Sequence, residues 1–218
     1  MSERRRATLD GDRSGLGAAE GGTIPGSMPM TAARERLVLA RPRGAAVAIA
    51  SGCLLLGLRP ILLRDGAHPT AALTAIFVLL LAGGLLWPQR AAVPAGAAAV
   101  LPALAVGVGA FALGRAVGGG HAPQPLALRV VLLGSLAAVA EEAFFRRFVY
   151  DALLPGGAAL AVGGSAALFA LVHVTVYGWW VLPIDAAAGL VLSWQRWATG
   201  SWKVPAVTHV LANLLVVL

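Results

Sequence analysis

The sequence predicts an all-α membrane protein, a polytopic bundle of about seven transmembrane helices, with six to eight as the range. Three observations carry this. First, only 12% of the 218 residues are charged and 58% are hydrophobic, with a mean hydropathy of +0.79, whereas soluble domains are about a quarter charged. Second, the apolar residues gather into runs: Gly44–Leu63 (interrupted by Arg59 and Pro60), Pro69–Trp87, Ala91–Leu113, Leu126–Leu154, Gly157–Tyr177, Val181–Trp197 and Lys203–Leu218. Most approach the ~20 residues that a spanning helix needs; the first and the last two are short, which sets the range. Third, the runs lack the alternation of a membrane barrel strand. Backbone polar groups in lipid must be satisfied within the segment, so the runs are helices.

In chain order, residues 1–36 come first as a basic tail. They are rich in Gly, Ser and charge and poor in bulky apolar side chains, a composition that cannot offset its ordering entropy, so disorder is expected. No apolar stretch follows the early arginines as a signal peptide requires. Arg4, Arg5, Arg6, Arg13, Arg34, Arg36, Arg41 and Arg43 account for much of the net charge of +7. They flank the first helix and, by the positive-inside rule, place the N-terminus in the cytoplasm. A multi-pass protein of the plasma membrane is therefore expected, with the lipid bilayer as partner and no nucleic acid. The lone Cys53 precludes an intrachain disulfide. Residues 37–125 form the N-terminal transmembrane helices and carry no motif. Arg129, Arg147 and Asp151 are read as interface anchors, and Trp179 and Trp180 as an aromatic belt.

Residues 126–218 are different. In the fourth run, "AVAEEAFFRRF", Glu141 and Glu142 are the only acidic residues between Asp65 and Asp151. Glu142 and Arg146 are four apart and can pair on one helical face. Glu141 is rotated by about 100° from Glu142 and points elsewhere. A carboxylate inside a membrane bundle faces the interior and marks function. The fifth run carries Phe169 and His173 in "LFALVHV", and the last carries His209 and Asn213 in "THVLANLL", each pair four apart. Glu141 lies 13 residues before the "LPGG" turn, ~20 Å of helix, and His173 about as far beyond it, so the two meet at one depth. A regular antiparallel sixth helix, by contrast, would leave His209 near the opposite boundary.

Amide hydrolysis needs an activated water, donors for the oxyanion and a proton for the leaving amine. A carboxylate in a low-dielectric cavity can act as general base. A histidine beside it relays the proton, and a second histidine and an asparagine amide suit an oxyanion. Zinc held by His173, His209 and Glu141 is an open alternative, since two histidines and a carboxylate leave a water position free. The histidines are 36 residues apart, however, and the HExxH pattern is absent. Asp185, in the sixth run, is a second buried acid, read as a structural hydrogen-bond partner.

"EEAFFR", "FALVH" and "HVLAN" fit the patterns EExxxR, FxxxH and HxxxN. In this order, in a polytopic helical chain, they resemble the CPBP family: CAAX endopeptidases, similar to CAAX prenyl endopeptidase type 2, and bacteriocin-processing or self-immunity proteins. The resemblance covers roughly residues 126–218. It implies that Glu141 activates water with the help of His173. It also implies that His209 and Asn213 stabilise the oxyanion, that Glu142 and Arg146 support them, and that Phe169 packs the His173 face. The implied site is a cavity in the membrane, open to cytoplasm and lipid. The implied substrate is a membrane-embedded or tethered peptide or lipidated protein, CAAX-like or bacteriocin-like. Two other readings stand beside endopeptidase: a non-proteolytic immunity protein that sequesters a peptide in the same cavity, and a proton-relaying transporter, against which the lack of a repeated half counts.

Overall fold

The computed structural model describes residues 30–64, 69–88, 96–118 and 127–217. Residues 1–38 and 39–218 are two separate units. Of the first, only residues 30–38 are described, as the opening turns of a helix, and residues 1–29 of the expected tail lie outside the described residues.

The described chain is helical throughout. Its elements are α1 (Met30–Gly57), α2 (Arg59–Arg64), α3 (Pro69–Leu86), α4 (Ala97–Val117), α5 (Leu128–Glu142), α6 (Tyr150–Leu153), α7 (Ala158–Tyr177), α8 (Leu182–Thr199) and α9 (Lys203–Val217). Seven of these reach 15 residues or more, as the apolar runs predict. Among the described residues, four spans are long and apolar enough to cross a membrane: Pro42–Ile61, Pro69–Leu86, Ala98–Val117 and Ala158–Tyr177. The protein is a polytopic helical bundle whose outer face keeps large apolar side chains exposed, among them Leu79, Leu86, Leu101, Leu113 and Leu132. Trp179 and Trp180 are likewise exposed. The core beneath is aromatic, built around Phe77, Phe144, Phe145, Phe148 and Phe169.

Two irregularities position the site. The first run breaks at Leu58, and the chain resumes as the short helix α2 with Arg59 at its start. The fourth run is one continuous rod only in outline: α5 passes into a π-helical stretch, Ala143–Val149, before α6 and a 3₁₀ turn, Leu154–Gly156. Such stretches carry an extra residue per turn and occur often at functional sites. Here it buries Phe144, Phe145, Arg146 and Phe148 together. Gly157, at φ 102°, then reverses the chain into α7, a conformation that L side chains rarely adopt.

The π-helical stretch packs against α3 at Gly84, where an added Cβ would lie 2.6 Å from the carbonyl oxygen of Ala143. That neighbour is backbone and cannot swing aside. Gly84→Ala is therefore expected to cost about 1–3 kcal/mol, the usual range for overpacking, read as a fall in the thermal midpoint of the purified protein. An unchanged midpoint would show that the two helices are not in close contact.

Two expectations need correction. Asp151 is not an interface anchor: it is buried, and its Oδ1 accepts from Arg196 Nη2 at 2.8 Å. Arg147 donates to the carbonyl oxygens of Gly84 and Trp87 and so caps the end of α3, while Arg129 is exposed. The depth of His209 stayed open in the sequence. Arg196, in the last turn of α8, also donates through Nε to the carbonyl of Arg146 at 3.0 Å, so the end of α8 packs against the π-helical stretch and α6. Gly200, at φ 65°, turns the chain there. The six residues from Lys203 to His209 then climb ~9 Å, which brings His209 to α5.

Candidate active site

The last turn of α5 presents Glu141 and Glu142, 3% and 0% exposed. Their roughly 100° offset sends them to different partners. Glu142 is bound into the framework. Its Oε2 lies 3.2 Å from Arg146 Nε, and its Oε1 lies 2.9 Å from His209 Nδ1. Arg146 in turn donates through Nη2 to the carbonyl of Gly189 on α8 at 3.1 Å. Its guanidinium also sits 4.5 Å from the Phe169 ring centroid, a favourable cation–π placement.

Glu141 faces the other way. Its Oε1 accepts from Arg59 Nη1 at 3.2 Å, and its Oε2 is 3.8 Å from His173 Nε2. The His173 Nδ1 lies 2.7 Å from the carbonyl oxygen of Phe169. A carbonyl only accepts, so the proton sits on Nδ1 and Nε2 of the neutral ring carries a lone pair. Glu141 Oε2 and His173 Nε2 are thus two acceptors side by side, and they cannot bond to each other. At 3.8 Å apart they can each take one proton of a single water placed ~2.8 Å from both.

His209 is fixed by the same reasoning. With Nδ1–H donated to the Glu142 carboxylate, its Nε2 becomes a donor only when the ring is protonated. Asn213 donates one amide hydrogen to the carbonyl of Gly134 at 3.0 Å and keeps the second. Phe169 packs between the two imidazoles, 4.6 Å from the His173 ring and 5.8 Å from the His209 ring, centroid to centroid. Glu141, His173, His209 and Asn213 all line one cavity of about 530 Å³, together with Arg59, Phe77, Tyr177 and apolar side chains such as Leu73, Val130 and Leu214. The seven site residues taken from the sequence thus come together, four on the cavity wall and Glu142, Arg146 and Phe169 behind it.

Two participants, Tyr177 and Arg59, were missed, and a third, Asp185, was read only as structural. Asp185 Oδ2 lies 4.0 Å from His173 Nδ1 and has no hydrogen-bond partner, in place of the expected structural bond. Tyr177 stacks parallel to His173 with ring centroids 6.1 Å apart. Arg59 registered only as an interruption of the first run. A signal for it existed, because a charge within an apolar span is by default a functional candidate. As for zinc, no group of three His, Cys, Asp or Glu side chains among the described residues is placed to hold a metal ion.

Residues 123–215 match the family model described as type II CAAX prenyl endopeptidase Rce1-like. The matched region, under half of the chain, is similar to an Rce1-like domain. No curated protein and no solved structure matches the chain. The matched region holds Glu141, Glu142, Arg146, Phe169, His173, His209 and Asn213, whereas Arg59 comes from outside it. Together with the apolar spans, the match makes this an integral membrane protein and supports CAAX-type intramembrane endopeptidase activity in general.

Proposed function

We propose that the protein hydrolyses peptide bonds of membrane-embedded or membrane-tethered substrates, CAAX-like lipidated proteins or bacteriocin-like peptides, with a water activated by Glu141 and His173. The observation that carries the reading is the pair of acceptors, Glu141 Oε2 and His173 Nε2, 3.8 Å apart on the wall of the cavity. Water bound between them is oriented by His173 and deprotonated by Glu141 as its oxygen attacks the scissile carbonyl carbon. The charge that develops on the carbonyl oxygen is met by the second amide hydrogen of Asn213, with the His209 ring beside it. As the C–N bond breaks, Glu141 passes the proton to the departing nitrogen, leaving a new carboxylate and a new amine. Glu142 and Arg146 hold His209 in place and do not touch the reacting atoms. The cell is expected to carry the protein in its plasma membrane with the N-terminus in the cytoplasm, where the basic flank of the first helix would lie.

The test is cleavage of a peptide anchored in liposomes that contain the purified protein. Cleavage is expected to continue unchanged after prolonged dialysis against a strong zinc chelator. Loss of cleavage that added zinc restores would overturn the metal-free mechanism. Absence of cleavage with any tethered peptide, while the peptide still binds, would favour the sequestering immunity protein.

A further inference from the structure

We infer that Arg59 is a positioning residue for the general base, so that the site is completed by a part of the chain outside the matched region. This rests on the proposed role of Glu141. Arg59 Nη1 holds Glu141 Oε1 at 3.2 Å in a pair whose side chains are 10% and 4% exposed. The two residues are 82 positions apart in sequence, so the contact is tertiary and joins α2 to α5. The guanidinium is itself fixed. Its Nε donates to the carbonyl of Leu56 at 3.0 Å, and its plane lies 5.6 Å from the Phe77 ring centroid.

The consequence for Glu141 is geometric. A buried carboxylate with no partner is free to rotate or to bond to any nearby donor. With Oε1 held by a cation, rotation is blocked and Oε2 is the oxygen left for His173 and water. Glu142 cannot supply this restraint, because both its oxygens are committed to Arg146 and His209. His173 cannot supply it either, because its Nε2 is an acceptor. The break at Leu58 gives the restraint its local cause: it ends α1 and starts α2 with Arg59, which is thereby turned inward, in a run that would otherwise be an unbroken apolar span.

The experiment uses the full chain in liposomes with a tethered peptide that the wild type cleaves. Arg59→Gln is expected to lower kcat by about 100-fold, a typical share of a general base's contribution, with KM changed by less than about threefold. Arg59→Lys, which keeps the charge, is expected to recover at least about a tenth of the wild-type kcat. A residue that acts through another shows its effect once, so Arg59→Gln combined with Glu141→Gln is expected to be no slower than Glu141→Gln alone. Three results would overturn the inference: kcat near wild type in Arg59→Gln, a rise in KM at constant kcat, or multiplicative losses in the double variant. A loss caused by misfolding would appear as failure of Arg59→Lys to recover kcat, which also counts against it. If the wild type cleaves nothing, the proposed activity falls separately. The pairing is then read by melting: each single variant lowers the midpoint and the double variant restores part of it, whereas additive losses would overturn the contact.

Discussion

Glu141→Gln is expected to slow peptide cleavage by about 10²–10⁴-fold, the usual contribution of a positioned general base. The change is nearly isosteric. The amide oxygen can still accept from Arg59, and the cavity wall keeps its shape, so the protein should fold and insert as the wild type does. What is lost is the basic oxygen beside His173 Nε2, 3.8 Å away. With only the imidazole left as an acceptor, water is still bound but no longer deprotonated at the moment of attack. Single-turnover cleavage in liposomes reads the effect. A rate within a few-fold of wild type would show that another group is the base.

The second large effect concerns stability. Arg146→Met is expected to destabilise the protein by about 3–5 kcal/mol, the cost of breaking a buried ion pair from one side. Both side chains of the Arg146–Glu142 pair are 0% exposed. Removal of the cation leaves the Glu142 carboxylate in the core with His209 as its remaining partner. It also removes the donor to Gly189 that ties the π-helical stretch to α8. Methionine fills much of the volume, so the loss reports charge more than a cavity. Denaturant or thermal unfolding in detergent measures it, and Arg146→Met with Glu142→Leu should recover part of the loss, because the uncompensated charge is gone. A loss below about 1 kcal/mol, as for a solvent-exposed pair, would contradict the burial.

The fold was largely legible because lipid leaves the backbone few choices. Some apolar runs became single helices within a few residues of their expected ends, as with Gly157–Tyr177 against Ala158–Tyr177, whereas the first breaks at Leu58 and the fourth is interrupted by the π-helical stretch. The Glu142–Arg146 pair and the separate heading of Glu141, about 100° away, follow from helical spacing alone, and the structure shows both. Spacing could not show what arrives from elsewhere in the chain. Arg59 reaches Glu141 across 82 residues, and Asp185 reaches His173 from another helix; neither contact has a local signature. The level of His209 stayed open for a related reason. Depth was reckoned from helix lengths for a regular sixth helix, and the bond from Arg196 to Asp151, which ties the last turn of α8 to α6, has no local signature. Asp151 was misread by the same omission, since an acid near a helix end looks exposed until its partner is known.

The most direct test of the central claim compares the termini of membrane peptides in cells that express the wild type or Glu141→Gln at equal abundance. The mechanism predicts new peptide ends, each a paired carboxylate and amine at one bond, present with the wild type and absent with the variant. Identical sets of termini, with both proteins inserted, would contradict proteolysis and leave a cavity that binds without cutting.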